Sequence, residues 1–317
     1  MIDFTGEVAV VTGGGRGLGR LYALDLAQRG AAVVVNDLGG SMGGEGADAN
    51  VADAVVAEII GAGGTAVASH DSVATAEGGA AIVQTAMDAF GRVDAVVSNA
   101  GIFGTAAFED MPAEDWRRMI DVHLHGSFYL AQPAFRVMKQ NGYGRFVFIA
   151  SSAGLFGQPM SAHYAAAKSG IFGLANVIAL EGAAHGINAN CVLPFGHSRM
   201  VTETMGDGAA IVANHAAANS QGSFLTAIEP ELVVPIVTYL ASRSCAVTHQ
   251  AYSACAGRIA RVFAGLADGW VSADDAPTAD DVAAHFDAVS APEPHTIPGS
   301  IFDEILTVCD RLGLALA

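Results

Sequence analysis

The fold is decided by the segment Glu7-Val8-Ala9-Val10-Val11-Thr12-Gly13-Gly14-Gly15-Arg16-Gly17-Leu18-Gly19. Its first half is a short apolar run typical of a buried strand, and its Gly-rich half leads into a segment of helical period. At such a junction, main-chain N–H groups and the helix dipole can hold a pyrophosphate. Glycine is needed because a Cβ would block the close approach of the phosphates. We therefore predict a dinucleotide-binding loop, with a flexible turn as the alternative.

The same alternation of strand and helix continues along the chain, which is typical of β-α-β units and a parallel sheet. We predict strands at Glu7–Thr12, Ala32–Asn36, Ala66–His70, Val93–Ser98, Arg145–Ala150 and Asn188–Leu193, with a weaker seventh at Ala251–Cys255. The predicted helices are Gly17–Arg29, Ala47–Ile60, Ala76–Phe90, Ala113–Met138 and Ala162–Ala184. The predicted fold is α/β, a Rossmann-type doubly wound parallel sheet of about seven strands with helices on both faces.

The domain organisation follows from where this alternation ends. Residues 1–260 are predicted to form one dinucleotide-binding domain, and residues 261–317 a C-terminal helical extension packed on the same domain. The extension has two predicted helices, Thr278–Val289 and Ser300–Leu312, which either cover the substrate cleft or form a subunit contact. The segment Phe195–Ile228 has no clean period and is interpreted as a mobile flap over the active site.

Composition and charge exclude several classes of protein. The 317 residues are 52% hydrophobic, which is enough for a sizeable core, and the net charge of −17 disfavours nucleic-acid binding. Polar residues interrupt the uncharged stretch Phe146–Ala167, so no membrane span is predicted. An anionic substrate would need a local basic patch, for which Arg199 or the Arg258/Arg261 pair are the candidates. No signal peptide is apparent, and we expect a cytoplasmic protein.

The four cysteines, Cys191, Cys245, Cys255 and Cys309, are scattered without a C-x-x-C pair. This spacing predicts reduced structural thiols and no metal site.

The choice of cofactor depends on Asp37, which ends the second predicted strand. A carboxylate at this position can accept hydrogen bonds from both adenosine ribose hydroxyls, and it would repel a 2′-phosphate. Arg16 can in principle reach such a phosphate, but Leu38 supplies no second positive charge. We therefore predict NAD in preference to NADP.

Two further strand ends fit a dinucleotide lying across the sheet. Asp71-Ser72-Val73 follows the third strand and is predicted to meet adenine, and Asn99-Ala100-Gly101 follows the fourth and is predicted to meet the middle of the cofactor. Asp71 can equally be the N-cap of the following helix.

The predicted catalytic group is Tyr164, which lies four residues before Lys168 on one face of a predicted helix. Lowering the pKa of a phenol from about 10 to about 7 needs roughly 4 kcal/mol. A positive charge about 4 Å away at an effective dielectric constant near 20 supplies about that much. Ser151 follows the fifth strand, and the intervening loop can bring its hydroxyl and that of Tyr164 to one substrate oxygen. Ser152 is the competing assignment.

Together these residues resemble the short-chain dehydrogenase/reductase family, whose marks are T-G-x-x-x-G-x-G, N-A-G, a serine and Y-x-x-x-K. They stand here in order at Thr12–Gly19, Asn99–Gly101, Ser151 and Tyr164–Lys168, and the resemblance covers about residues 5–260. It implies an NAD-binding domain that interconverts a secondary alcohol and a ketone, with Ser151, Tyr164 and Lys168 as catalytic residues. The implied cofactor-binding residues are Gly13, Arg16, Gly17, Leu18, Gly19, Asp37, Asp71, Ser72, Val73, Asn99, Ala100, Gly101, Tyr164, Lys168, Pro194 and Gly196.

More narrowly, the chain is similar to the (3R)-hydroxyacyl-CoA dehydrogenase units of type 2 peroxisomal multifunctional enzymes, which are 17β-hydroxysteroid dehydrogenase type 4-like. The matching segments are Val33–Gly40 with its long Gly-rich insertion, Val122–Phe128, Ser198–Met200 and Pro277–Phe286. The resemblance implies a small-molecule substrate, an acyl-CoA thioester of a fatty acid or steroid side chain, and a homodimer. His123 stands where the wider family has a catalytic Asn, and Ser98 replaces the first Asn of N-N-A-G. We include His123 among the catalytic residues.

The predicted function is therefore an NAD-dependent 3-hydroxyacyl-CoA dehydrogenase. One rival is a dehydrogenase of the same fold that acts on free steroids, sugars or small alcohols. The other is a dinucleotide-binding protein without catalytic activity.

Overall fold

The computed structural model describes residues 1–196, 227–272 and 276–314. Its main sheet has eight strands: β1 (Val8–Thr12), β2 (Ala32–Asn36), β3 (Thr65–Ser69), β4 (Ala95–Ser98), β5 (Gly144–Ile149), β6 (Ile187–Phe195), β7 (Gln250–Cys255) and β8 (Arg258–Val262). Their order in space is β3-β2-β1-β4-β5-β6-β7-β8, and the strands from β3 to β7 pair in parallel. This confirms the predicted Rossmann-type fold.

The helices that connect these strands are α1 (Gly17–Gln28), α2 (Asn50–Gly61), α3 (Ala76–Phe90), α4 (Ala113–Ile120), α5 (Gly126–Asn141), α6 (Ala153–Phe156), α7 (Ala162–Gly182) and α8 (Val234–Ala241). One turn of π-helix, Asp121–His125, joins α4 to α5, so the long helix predicted over Ala113–Met138 is widened in the middle. Short 3₁₀ turns cover Phe108–Asp110, Ala183–His185 and Pro230–Val233.

The alternation of side chains along β1 shows why helices cover both faces of the sheet. Val11 belongs to the core on the face of α1, α2 and α8, and Val10 belongs to the core on the face of α3, α5 and α7. Both side chains are fully buried, as expected because successive residues of a strand point to opposite faces. A continuous apolar run was therefore the correct signal for these strands.

The strand order reverses beside β1, whose neighbours are β2 on one side and β4 on the other. The loops after these strands diverge to opposite faces and leave a crevice at their carboxyl ends. The predicted cofactor-binding segments follow β1, β2, β3 and β4, so the topology brings them to one edge of the sheet.

The prediction of about seven strands missed β8. Ala256 and Gly257 alone connect β7 to β8, and both have positive φ angles, 51° and 77°. A two-residue connection joins antiparallel strands, and two positive φ angles are typical of a type I′ hairpin turn. Alanine is an unusual residue at such a turn, so the sequence did not indicate the hairpin. The helix α8 was also missed.

The chain divides into two compact units, Met1–Arg261 and Val262–Ala317. The second contains the antiparallel strands β9 (Leu266–Ala267) and β10 (His295–Thr296) and the helices α9 (Ala279–Ala284), α10 (Phe286–Ser290) and α11 (Ile301–Leu312). Most of the proposed flap, residues 197–226, lies outside the described residues. Within the described part of the chain, no helix is long and apolar enough to cross a membrane.

Candidate active site

A cavity of about 650 Å³ lies at the carboxyl ends of the parallel strands. This volume is within the range of small-molecule binding sites. The cavity is lined by all the residues that we predicted to bind the cofactor, from the Gly-rich loop to Pro194 and Gly196, and also by His123. Ser151 does not line it. Residues far apart in the sequence are thus brought together at one site.

The Gly-rich loop has the geometry that a phosphate group requires. Gly13 has a φ angle of +61°, and a Cβ there would lie 2.8 Å from Cα of Ala100. A Cβ on Gly19 would lie 2.0 Å from the carbonyl oxygen of Gly13. Helix α1 begins at Gly17, and no side chain caps its N-terminus. Its first N–H groups therefore remain available, and the cradle fits the pyrophosphate of a dinucleotide.

The Asp37 carboxylate joins the end of β2 to this loop. Its Oδ2 atom accepts a 3.0 Å hydrogen bond from the Gly15 amide, and its Oδ1 atom accepts a 2.7 Å bond from the Gly39 amide. The guanidinium of Arg16 donates through Nη1 to the carbonyl oxygen of Gly40 at 3.0 Å. Asp37 thus has a structural role in holding the loop as well as a position in the cavity wall.

The segment after β3 does not cap the next helix through Asp71. The N-cap of α3 is Thr75, whose Oγ1 atom accepts a 3.0 Å hydrogen bond from the Gly78 amide. Asp71 instead accepts from the Ser69 hydroxyl at 3.0 Å. The alternative interpretation of Asp71 as a helix cap was therefore wrong, and its loop lines the cavity.

Asn99 holds the loop after β4 against the Gly-rich loop. Its side-chain Nδ2 donates to the carbonyl oxygens of Thr12 at 3.0 Å and Gly13 at 3.2 Å. The Thr12 hydroxyl accepts from the amides of Asn99 and Ala100. These bonds fix the relative positions of two loops that line the same cavity.

Tyr164 and Lys168 lie one turn apart on α7 and are both buried. The Lys168 Nζ atom is 5.6 Å from the centroid of the Tyr164 ring and donates a 2.6 Å hydrogen bond to the carbonyl oxygen of Ile149. Burial lowers the pKa of Lys168 to about 7. Burial also raises the pKa of Tyr164, and a hydrogen bond with Ser151 acts in the opposite direction. Desolvation therefore has the largest effect on the pKa of Tyr164, and the sequence analysis did not include it.

The interaction of the Ser151 side chain with Tyr164, which lowers the pKa of the phenol, distinguishes the two candidate serines. The Ser151 Oγ atom also accepts from the Ala153 amide at 3.2 Å. Ser152 is the residue before α6, and its side chain makes no capping hydrogen bond. Ser151 is therefore the serine that the fold places beside the tyrosine.

His123 lies in the π-helical turn and is fully buried beside Tyr164, with 5.2 Å between the ring centroids. Its Nε2 atom is 2.8 Å from the carbonyl oxygen and 3.1 Å from the amide nitrogen of Ile102. Burial lowers the pKa of His123 well below its usual value, so the ring is neutral near pH 7. The carbonyl oxygen of His123 accepts a 2.7 Å hydrogen bond from Ser127.

The Gly-rich insertion after β2 reaches the tyrosine, which the sequence did not reveal. The carbonyl oxygen of Met42 accepts a 3.0 Å hydrogen bond from the Phe103 amide. The Phe103 ring packs edge-on against Tyr164, with 5.1 Å between the centroids. Met42 itself lines the cavity. The length and glycine content of the insertion were visible in the sequence, but its destination depends on the tertiary fold.

The basic residues proposed for an anionic substrate are not the ones that the structure places at the cavity. Arg258 and Arg261 are exposed on β8 and do not line it, and Arg199 lies outside the described residues. Arg117 and Arg118, on α4, line it instead.

Comparisons with known proteins show the family of the chain. The short chain dehydrogenase family matches residues 7–208. A short-chain type dehydrogenase/reductase of Mycobacterium tuberculosis is 43% identical over 280 residues, covering 88% of this chain and 92% of that protein. Peroxisomal multifunctional enzyme type 2 of Drosophila melanogaster is 44% identical over 244 residues, covering 77% of this chain but 38% of that enzyme. The solved full-length structure of the Drosophila enzyme has a TM-score of 0.77 at 33% identity, covering 98% of this chain and 50% of that chain.

The chain belongs to the short-chain dehydrogenase family. It is an oxidoreductase that uses a nicotinamide dinucleotide, NAD or NADP, and acts on a small-molecule substrate. It spans only part of the multifunctional enzyme that it resembles.

Proposed function

We propose that this protein is an NAD-dependent 3-hydroxyacyl-CoA dehydrogenase. The observation that carries the proposal is that Tyr164, Lys168 and the four loops predicted to bind the nucleotide line one cavity. The substrate class is supported by the names of the relatives, which include peroxisomal hydratase-dehydrogenase-epimerases as well as multifunctional enzymes of type 2.

The preference for NAD rests on Asp37. Its carboxylate lines the cavity at the end of β2, where the adenosine ribose of a dinucleotide is held in this fold. A 2′-phosphate there would meet a negative charge, and the Arg16 guanidinium is already bonded to Gly40. The residue after Asp37 is Leu38, which adds no positive charge.

In the proposed mechanism, a proton is transferred between the Tyr164 phenol oxygen and the substrate oxygen. When bound, the nicotinamide ring supplies the hydride acceptor or donor, and its oxidised form adds a positive charge. Ser151 donates a hydrogen bond that stabilises negative charge on the substrate oxygen. Lys168, when protonated, adds positive charge beside the tyrosine and opposes the effect of burial on its pKa.

His123 has a positioning role in this proposal. Its neutral ring packs against Tyr164 and bonds to Ile102, so it restricts both the catalytic side chain and the loop after β4.

The decisive assay follows the formation of NADH from NAD⁺, or of NADPH from NADP⁺, with 3-hydroxybutyryl-CoA, free 3-hydroxybutyrate or a hydroxysteroid as the substrate. We expect turnover of the thioester with NAD⁺. If the free alcohols reacted and the thioester did not, the protein would instead be a dehydrogenase for other substrates. Binding of NADH without turnover of any substrate would favour a protein that only binds dinucleotide.

The roles of the catalytic residues are tested with matched pairs of variants. Tyr164→Phe is expected to abolish turnover and retain NADH binding, whereas Tyr239→Phe, on the surface of α8, should retain both. Ser151→Ala should lower kcat by about a hundredfold or more, as for loss of one oxyanion-stabilising donor. Ser152→Ala is the control for that change. If Ser152→Ala were the more damaging variant, the assignment of the serine would be wrong.

We also propose a homo-oligomer, supported by exposed apolar side chains on two neighbouring helices. Phe128 on α5 and Val177 and Leu180 on α7 are each more than 40% exposed. Light scattering of the purified protein tests this, and a monomer at micromolar concentration would contradict it. The cytoplasmic localisation stays a prediction.

A further inference from the structure

Two cavities of the dehydrogenase unit share Arg117. One is the active-site cavity, and the other, of about 330 Å³, is lined by Phe108, Met111, Ala113, Trp116 and Arg117. The second cavity is formed by the 3₁₀ turn Phe108–Asp110, the start of α4 and the residues between them. Arg117 is the one residue of the described chain that lines both. A ligand that leaves the active site on this side therefore passes its guanidinium.

Among the residues that the structure describes, the guanidinium of Arg117 has no hydrogen-bond or ion-pair partner. The other Arg and Lys side chains that line these cavities, Arg16, Arg118 and Lys168, each have one. As described above, Arg16 and Lys168 donate to main-chain carbonyls. Arg118 forms an ion pair with Asp115. Among the described residues, Arg117 makes neither a hydrogen bond nor an ion pair. An unpaired cation in a chain of net charge −17 is therefore available for an external anion.

The charge and shape of the second cavity favour an anion attached to an apolar or aromatic group. Glu114 and Asp121 line the first cavity, whereas Arg117 is the one charged residue among the described residues that line the second. Phe108 and Trp116 are 81% and 40% exposed, so their rings are open to a ligand. Aromatic rings bind nucleobases by stacking, and a guanidinium binds phosphate through directed hydrogen bonds.

We propose that Arg117 and this second cavity bind the coenzyme A portion of the thioester substrate. The Arg117 guanidinium pairs with a phosphate group, and Phe108 and Trp116 contact the adenine ring. The inference rests on the proposed function, because an acyl group that reaches Tyr164 must leave its phosphate-bearing arm outside the catalytic centre. It assigns the binding of that arm to α4, which the sequence analysis did not consider.

The test compares two thioesters that differ only in the phosphorylated nucleotide, acetoacetyl-CoA and S-acetoacetyl-pantetheine, with NADH as the reductant. We expect the wild-type enzyme to have the lower KM for acetoacetyl-CoA. Arg117→Ala should raise that KM roughly tenfold to a hundredfold, as expected for loss of a charge-assisted hydrogen bond. The KM for the pantetheine thioester and the kcat with either thioester should stay within about twofold, since the lost interaction is uniform binding.

Matched variants separate this effect from a general loss of structure. Arg136→Ala removes an exposed arginine of α5 outside both cavities and should leave both KM values unchanged. Arg117→Lys should recover part of the affinity, and Trp116→Ala should raise the KM for acetoacetyl-CoA more than that for the pantetheine thioester. NADH binding by each variant reports that the dehydrogenase unit is folded. Added salt should raise the KM of the wild type for acetoacetyl-CoA and have less effect on Arg117→Ala.

The results that would overturn the inference differ from those that would overturn the proposed function. Equal changes in KM for the two thioesters in Arg117→Ala, or no preference of the wild type for acetoacetyl-CoA, would exclude this CoA site and leave the dehydrogenase activity standing. An Arg117-dependent preference for an acyl group carried on a protein over acetoacetyl-CoA would also overturn it. If neither thioester reacted while other ketones did, the proposed function itself would be wrong.

Discussion

The ammonium group of Lys168 donates a 2.6 Å hydrogen bond to the main-chain carbonyl of Ile149 at the end of β5. This bond holds a cation inside the fold at a position that is almost inaccessible to water. Burial opposes the charge and lowers the pKa of Lys168 to about 7. Catalytic placement of the lysine therefore has a cost in stability.

The first prediction concerns Lys168→Met, which removes this buried charge. Between about pH 7 and pH 10.5, the unfolded chain holds the lysine proton and the folded chain does not, so this group makes the free energy of unfolding rise with pH. We expect Lys168→Met to be inactive and to be more stable than the wild type below pH 7, by on the order of a few kcal/mol. The difference should shrink towards pH 10. Denaturant unfolding at several pH values measures it.

The control for this experiment is Lys139→Met, because Lys139 is the other lysine of the chain and lies exposed on α5. It should leave both activity and the pH dependence unchanged. A Lys168→Met variant less stable than the wild type at every pH would contradict the argument.

The second prediction concerns the contact between Gly101 and His123. A Cβ at Gly101 would lie 2.4 Å from Cε1 of the buried imidazole ring. Gly101→Ala should therefore lower the free energy of unfolding by about 1–3 kcal/mol and reduce kcat. In the double variant with His123→Ala, the added methyl enters the space that the ring has left, so the two changes should cost less than their sum. Gly104→Ala is the control, because no atom lies within 4 Å of its Cβ position. Additive losses would show that the two residues do not interact.

The third prediction concerns Arg243, which bonds to the buried carboxylate of Glu7 at the amino-terminal end of β1. The Arg243 Nε atom donates to Glu7 at 2.6 Å, and its guanidinium lies 3.9 Å from the centroid of the Tyr143 ring. Arg243→Ala should lower the free energy of unfolding at pH 7 by about 1–3 kcal/mol, a value reduced from that of a fully buried pair because Arg243 is half exposed. Activity should be unchanged, since the site lies at the opposite ends of the strands.

The pH dependence of that loss gives a sharper test. Burial raises the pKa of Glu7 and Arg243 opposes this, so removing the arginine raises the pKa further. The folded variant then binds more protons than the unfolded chain, and its stability falls as pH rises through this pKa. The deficit relative to the wild type should therefore grow from about pH 4 to pH 7. The double variant with Glu7→Gln should largely abolish this growth, and equal deficits at both pH values would contradict the prediction.

The parts of the fold that the sequence predicted are those whose signals are local. β1 and β2 are continuous apolar runs because both of their faces are buried, and their predicted ends agree with the structure to within one residue. Tyr164 and Lys168 share a helix, so their spacing alone places them together. By contrast, β8 depends on a hairpin turn that contains Ala256, and its side chains are largely exposed, so neither composition nor periodicity indicates it.

The parts of the site that the sequence did not predict depend on tertiary approach. The sequence places Met42 in a loop after β2, and nothing local indicates that its carbonyl bonds to Phe103 beside the tyrosine. In the sequence, nothing distinguishes Arg117 from other exposed arginines on helices. Only the tertiary structure shows that it lines two cavities. The pKa of Tyr164 is likewise a property of burial, and a distance estimate between phenol and ammonium does not include that cost.

The fourth prediction concerns Phe103, which connects the insertion after β2 to the catalytic tyrosine. Its ring is 5% exposed and packs against Tyr164, and its amide is held by the carbonyl of Met42. Phe103→Ala should leave a gap beside the phenol, lowering the free energy of unfolding by about 3 kcal/mol and lowering kcat by at least tenfold. Since the phosphate-binding loop lies elsewhere in the cavity, the dissociation constant of NADH should change by less than about threefold.

Phe103→Leu fills most of the space and should recover most of the lost stability and most of the lost kcat. Phe302→Ala is the control, because that ring is 69% exposed and lines neither cavity. A kcat unchanged in Phe103→Ala would show that Tyr164 keeps its reactive position without this contact, and the link from the insertion to catalysis would be wrong.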